Sequence, residues 1–302
     1  MEEEVYVKCN NCGADDYTVV FPAGKAQIHR VVKCNNCGLI YANPQINSTA
    51  GGKMAREAEE VDLKKVEKEV EEYKPEKFQY LQKQYVHLKD FVAILEYFEK
   101  KGIKKGSLLE IGSHAGVFLN TAKEMGWEVT GIEPNPLPRI YSEKNFGLKV
   151  YSESFEQAPL KDDTFDVVIA THVIEHIYDP KVFIKKAYDL LKPGGVLVLE
   201  TPTYDSLAFS LLKHRERSVR CPGHIYFYTK KSLADAVKGV GFKVVNHVAV
   251  GRTLTMDRLF HNFALITGKK KFFNNISKKL NLQKRTVHIN AHDMQRIYAE
   301  KV

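Results

Sequence analysis

Several absences narrow this sequence before any motif is read. No apolar stretch reaches the roughly eighteen to twenty residues that a bilayer-spanning helix needs. The amino terminus, MEEEVYVKCN, is acidic and polar and lacks the basic and apolar segments of a secretory signal, so a cytoplasmic location is expected. Proline (11) and glycine (19) stay far below the share that marks collagenous or low-complexity chains, and there is one tryptophan. Acidic residues are scarce in one region only. Positions 203–302 carry 19 Lys+Arg against 6 Asp+Glu, or +13, whereas the first 202 residues carry 26 against 31, or −5. The net charge of +8 is therefore confined to the last third, as a solvated basic surface or as a face that meets an anionic partner. What is present is ordinary globular material: 302 residues, 44% hydrophobic and 27% charged, enough for one full-sized domain and a small satellite.

The satellite is marked by cysteine. Cys9, Cys12, Cys34 and Cys37 fall in two copies of the pentapeptide CNNCG, with 21 residues between Cys12 and Cys34. A two-residue gap lets both thiolates of a knuckle face one metal, and Gly13 or Gly38 allows the tight turn that follows. Two knuckles supply the four sulfurs of a tetrahedral structural zinc site, and a chain without a secretory start argues against disulfides. Between the knuckles, YTVVFPA and QIHRVVKC alternate like short strands, so residues 1–46 read as a zinc ribbon. Cys221 stands alone as a packed or partly exposed thiol.

Residues 47–106 read as a helical connector. NSTAGG (47–52) has linker composition. Met54, Ala58, Val61, Val66 and Val70 form a thin apolar stripe that Pro75 interrupts. Leu81, Tyr85, Leu88, Phe91, Val92 and Leu95 then recur at helical spacing, with Tyr80 and Tyr85 as candidates for a lid over a ligand. From residue 107 onward strands alternate with helices, which argues for a doubly wound, mostly parallel sheet of seven strands in an α/β fold. Strands are expected over 107–112, 127–133, 148–154, 164–172, 194–202 and 242–250, and QRIYAEKV (295–302) as a closing edge strand. Helices are expected over 116–126, 136–147, 180–191 and 230–240, with a basic helical insertion at about 254–285.

The first strand carries the cofactor signal. LLEIGSHAG puts Glu110 at the strand end, Gly112 in the turn and Gly116 at the start of a helix, where a doubly wound sheet binds nucleotide-like ligands. A dinucleotide fingerprint would need glycines at 112, 114 and 117; His114 and Val117 stand at the last two, which disfavours a nicotinamide cofactor. Glu133, ending the second strand, is placed to accept both hydroxyls of an adenosine ribose.

Taken in order, LLEIGSHAG, TGIEP, DDTFDVVIATHVIEHIYDP and LKPGG resemble the class I S-adenosylmethionine-dependent methyltransferases over residues 107–250. The resemblance implies that Glu110, Gly112, His114 and Gly116 cradle the methionine portion of S-adenosylmethionine, and that Glu133 and Pro134 hold the ribose. It further implies that Ser154 and Phe155 flank the adenine, and that Thr171 and His172 lie beside the sulfonium. The family usually has Gly or Cys where His114 stands. With a ribbon in front, the chain is similar to small-molecule methyltransferases acting on sugars or quinones.

A sulfonium methyl is already activated, so the enzyme mainly aligns the acceptor and excludes water. A hydroxyl or carbon acceptor also needs a general base, for which His172, Glu175, His176 and His224 are candidates. In the sugar enzymes a His-x-x-Tyr-Phe stretch faces the acceptor; His224, Tyr226 and Phe227 nearly reproduce it, although Gly223 replaces the usual preceding acid. Three acceptor classes follow. One is a small hydroxylated molecule, such as a nucleotide-linked sugar or glycan unit whose anionic groups suit the basic last third. Another is a lipid or quinone precursor at a membrane surface, met through the Phe/Leu and Lys mixture of 254–285. RNA is the third, and it is disfavoured because ATHVIEH lacks the Asn/Asp-Pro-Pro-aromatic pattern used on exocyclic amino groups.

Overall fold

The computed structural model describes residues 4–25, 29–46, 88–216, 218–221, 223–260, 270–282 and 285–302, together with residues 64, 68, 70 and 86. Two compact units emerge. One holds Met1–Glu72, Lys104–Val250 and His292–Val302; the other holds Tyr73–Ile103 and Gly251–Ala291. The ribbon shares its unit with the sheet.

In the first unit the ribbon comprises β1 (Glu4–Val5), β2 (Tyr17–Phe21), β3 (Val31–Cys34), β4 (Ile40–Ala42) and β5 (Gln45–Ile46). The main sheet begins with β6 (Ser107–Ile111), α2 (Val117–Glu124), β7 (Glu128–Ile132), α3 (Pro136–Phe146) and β8 (Val150–Tyr151). It continues with β9 (Phe165–Thr171), a 3-10 turn over Ile174–His176, α4 (Pro180–Leu190) and β10 (Leu191–Pro202). After α5 (Leu207–Leu212) come β11 (Tyr226–Phe227), α6 (Lys230–Lys238), β12 (Phe242–Thr255) and β13 (Thr286–Lys301). Asn135-Pro136 and Asp179-Pro180 start α3 and α4 as an accepting cap followed by a proline preset for the first turn: Asn135 accepts from Leu137 N, and Asp179 from Lys181 N and Val182 N.

The seven-stranded sheet runs β12-β13-β10-β9-β6-β7-β8. Pairs from β8 to β10 are parallel, and β13 runs antiparallel to β10. Leu108, Leu109, Val167, Val168, Ile169, Ala170 and Leu197 to Leu199 are buried, as expected for strands covered on both faces. The last strand is not an edge strand: β13 lies between β10 and β12. The reason is in its composition, since Gln295, Ile297, Tyr298 and Ala299 are buried and Arg296 is paired with Glu200 at 2.6 Å. An edge would leave that apolar run and that ion pair facing water.

The second unit contains α1 (Leu88–Lys100), the outer parts of β12 and β13, and α7 (Lys270–Lys279). Within it α1 buries Ile94, Leu95 and Phe98, and Asp90 accepts from the backbone and hydroxyl of Thr253 at 2.9 Å each. Within the expected helical insertion, the described residues are helical over 256–260 and Lys270–Lys279, and only its first two positions continue β12 to Thr255. The proposed linker, the lid tyrosines Tyr80 and Tyr85, the stripe residues other than Val70, and positions 261–269 lie outside the described residues. Among the described residues, no helix is long and apolar enough to cross a membrane.

Candidate active site

The sheet builds outward from β6 to β8 in one direction and then from β9 in the other. Its topological switch point is therefore the crevice at the carboxyl ends of β6 and β9, where such sheets bind ligands. The sequence placed the glycine turn and the ATH segment there, and the structure brings them together. A side chain at Gly112, whose φ is 74°, would meet Val173 Cγ2 at 2.8 Å. Gly116 caps α2 at φ 73°, and a Cβ there would meet Leu148 Cδ1 at 2.5 Å. Positive φ and close approach thus both require glycine at the two ends of the turn. His114 between them also takes a positive φ, 50°.

Two carboxylates organise this turn. Glu133 accepts from His114 N and from Asn135 N, both at 2.8 Å, which ties the ends of β6 and β7 together. Burial raises its pKa, partly opposed by those two N–H bonds and by Arg139. Glu110 is buried more completely: burial first, then the charge of Glu133, pushes its carboxyl well above the usual range. Among the described residues, Glu110 Oε2 and Ser113 Oγ are buried without a hydrogen-bond partner. A ligand with an ammonium group and hydroxyls answers both. Burial holds His114 down at about 4, so its imidazole is neutral at pH 7. Pro134 follows Glu133 at the end of β7, and Ser154 accepts the amides of Gln157 and Ala158. Phe155 is buried in the core, its ring 4.8 Å from that of Phe183.

The second half of the site is a carboxylate surrounded by imidazoles. His172 ends the β9 segment beyond Thr171, half-exposed with φ 57°, and its Nδ1 lies 3.5 Å from Glu175 Oε1. Glu175 is completely buried on the 3-10 turn, and Thr201 donates to its Oε2 at 3.0 Å. Burial alone would raise this carboxyl, but His172, His176 and His224 outweigh it and hold Glu175 at about 2. His224 arrives from the loop before β11 and meets the ring of His176 edge to face at 4.7 Å between centroids. Burial keeps His224 at about 4. Four candidates for proton transfer, His172, Glu175, His176 and His224, therefore converge. Tyr226 lies beside this cluster in the chain but is buried, stacked between Tyr41 and Tyr228, and its hydroxyl donates to the Tyr178 carbonyl at 3.1 Å.

The ribbon supports the segment that follows His224 directly. Strand β11 pairs antiparallel with β4, matching Tyr226 to Tyr41 and Phe227 to Ile40, and Ala42 donates to the Ile225 carbonyl at 2.8 Å. The identical pentapeptides have diverged in use. In the first, Asn10 donates to Asp179 and Asn11 to the Ser232 carbonyl, both at 2.9 Å; in the second, Asn35 bonds Asp16 within the ribbon. Cys9 and Cys37 sulfurs are 3.4 Å apart, Cys12 and Cys34 3.6 Å, and all four lie within 4.8 Å. A tetrahedral Zn–S bond of about 2.3 Å implies sulfur–sulfur edges of about 3.8 Å, so the cluster fits one zinc ion. The strand pairing and the asparagine docking were not apparent in the sequence; only the doubled CNNCG hinted that more than metal was at stake.

A Rossmann-like sheet with a polar cradle at its switch point and proton-transfer groups beside it defines a group-transfer enzyme using a nucleotide-like cofactor. Residues 80–247, more than half of the chain, match a family model described as a methyltransferase domain, and the chain belongs to the S-adenosylmethionine-dependent methyltransferases. It is 29% identical over 144 residues to an uncharacterized protein of Methanocaldococcus jannaschii, covering 48% of this chain and 68% of that one. It is 34% identical over 100 residues to a ubiquinone biosynthesis O-methyltransferase of Ruegeria pomeroyi, covering 31% of this chain and 40% of that relative. The chain thus spans less than half of the ubiquinone-pathway relative. A SAM-dependent methyltransferase from Archaeoglobus fulgidus shares the fold at a TM-score of 0.52 and 20% identity, covering 75% of this chain and 97% of that structure.

Proposed function

We propose that this enzyme transfers the methyl group of S-adenosylmethionine to a hydroxyl of a small acceptor held at the Glu175 cluster. The observation that carries the reading is the buried, ionised Glu175 facing His172 at the switch point, directly beyond the cofactor turn. In this reading Glu110 and Ser113 take the polar groups of the methionine portion, and Glu133 keeps the turn in shape while offering remaining lone pairs to the ribose. Thr171 and His172 border the sulfonium. His172, oriented by Glu175, takes the hydroxyl proton as the oxygen attacks the methyl carbon and the thioether leaves with the bonding pair. The four cysteines hold a structural zinc, which keeps β4 in place to pair with β11 and so seats His224.

The quinone reading draws support from the printed activity of the Ruegeria relative, an O-methyltransferase, and it favours an aromatic hydroxyl as acceptor. The sugar or glycan reading draws support from the His224 to Phe227 stretch, weakened by the commitment of the Tyr226 hydroxyl. A peripheral membrane contact through 254–285 belongs to the quinone reading. The experiment is a screen of hydroxylated acceptors, catechols against nucleotide-linked sugars, with isotopically labelled cofactor and mass detection of the product. We expect His172→Ala to lower kcat by about 10²–10³-fold with cofactor Kd nearly unchanged. Equal loss of both would refute the base assignment, and transfer to nitrogen acceptors alone would refute the hydroxyl reading.

A further inference from the structure

We propose that Glu175, His176 and His224 bind a divalent transition-metal cation, distinct from the ion of the ribbon, with open positions for an acceptor oxygen. The inference deepens the reading above, since it rests on the acceptor meeting this cluster. One ligand atom from each residue lies within 4.8 Å of the others, close enough for a small closing movement to bring them onto one ion. The residue types are two imidazoles and a carboxylate, a set that suits zinc, iron, cobalt or nickel better than magnesium or calcium.

The surrounding bonds set these side chains up as ligands. His176 Nδ1 lies 2.7 Å from the Gly223 carbonyl. A carbonyl only accepts, so Nδ1 carries the proton and Nε2 presents its lone pair, the tautomer that metal-binding histidines adopt when their other nitrogen is anchored. His224 packs its ring edge to face on that of His176, 4.7 Å between centroids, which holds the two imidazoles side by side. Glu175 is completely buried; Thr201 donates to Oε2 and His172 Nδ1 stands 3.5 Å from Oε1, which leaves lone pairs on both oxygens for a cation. Gly223 fits the same picture: a Cβ there would lie 3.0 Å from His176 Nδ1, so a side chain would crowd the anchored ring. The glycine at the position where sugar methyltransferases carry an acid thus has a physical reason here.

With three protein ligands the cation keeps sites for the acceptor. A hydroxyl bound there loses its proton more readily, and the resulting oxygen attacks the methyl carbon. The C–S bond breaks, the O–C bond forms, and the proton passes to His172 or water; nothing is oxidised or reduced.

The test uses the full chain, stripped of metal and titrated with Co2+ without acceptor or cofactor. Sulfur-to-cobalt charge transfer reports the ribbon, and visible d–d bands without sulfur character report the second site. We expect uptake of about two equivalents per chain, the thiolate band saturating with one of them. His176→Gln and His224→Gln, made separately, should each weaken the second equivalent by about tenfold or more while the thiolate band persists, which also certifies that the ribbon is folded. A single equivalent with only thiolate character would overturn the proposal, as would a second equivalent indifferent to both substitutions. Because binding is read without turnover, failure of the methyl-transfer reading leaves this result standing. Conversely, full transfer activity after removal of the second equivalent overturns the acceptor-activating cation and leaves methyl transfer intact.

Discussion

The two halves of the active site are built on different principles. The cofactor half is local: β6, its glycine turn, α2 and the end of β7 span residues 107–133, and its bonds join neighbours such as His114 and Glu133. The acceptor half is assembled from afar. Glu175 and His176 come from the turn after β9, His224 from a loop 48 residues later, Thr201 from the end of β10, and the strand that seats the loop is paired to a ribbon near the amino terminus. Their electrostatics are opposite as well. Glu110 is a buried carboxyl pushed toward its neutral form, waiting for a cation, whereas Glu175 is a buried carboxyl kept ionised by imidazoles already present. The first arrangement suits a charged ligand; the second suits proton transfer.

That contrast can be tested by breaking one half at a time. The largest effect is expected from Glu175→Gln, which keeps the shape and removes the charge. Turnover should fall by about 10²–10⁴-fold, with cofactor affinity nearly unchanged by calorimetry. A parallel loss of cofactor binding would show that the two halves are not separable. Next, Cys34→Ser, or chelation of the ribbon, should cut turnover by about tenfold or more, because structural zinc supplies folding free energy outright. Hydrogen exchange provides the direct readout: the amides of Ala42 and Phe227 should lose protection while those of β6 and β9 keep theirs.

Damage to the cofactor half should be smaller and should read out in cofactor affinity or in stability. Glu133→Ala loosens the turn and removes the acceptor offered to the ribose, a bond worth about 1.5–3 kcal/mol, so Kd should rise by about tenfold to a hundredfold. The same substitution should leave the cobalt titration unchanged. Gly116→Ala forces an L side chain to a φ of 73° against Leu148 and should cost about 1–3 kcal/mol in thermal unfolding.

The smallest effect concerns pH. His114 is held at about 4 by burial, whereas an unfolded imidazole titrates near 6.5. Between those values the unfolded chain binds more protons, so this contribution to stability is present above about pH 6.5 and fades as pH falls toward 4. His114→Gln should flatten that part of the pH–stability curve, and an unchanged slope would show that the ring is hydrated rather than buried.

Much of this molecule could be read residue by residue. The glycine turn, Glu133 and the CNNCG pair announce themselves because their chemistry depends on spacings of a few residues, which backbone geometry translates directly into proximity. The strands of the parallel sheet were equally plain, because burial on both faces demands continuous apolar runs such as VVIA. Misreadings arose where position depends on distant partners. QRIYAEKV looked like an edge strand because nothing local reveals that Arg296 will find Glu200. Likewise, nothing near Tyr226 in the sequence marks the ribbon strand with which it pairs.

By itself, then, the sequence determined the four-sulfur knuckle pair, the doubly wound sheet and the glycine turn after β6, since each follows from local geometry and burial pattern. Only the tertiary structure decided which histidines meet Glu175, that the ribbon pairs with the strand after the His224 loop, and that the last strand inserts inside the sheet. Those outcomes rest on hydrogen bonds and ion pairs between segments tens of residues or more apart, a choice among partners that the packed chain makes and no short window of sequence contains.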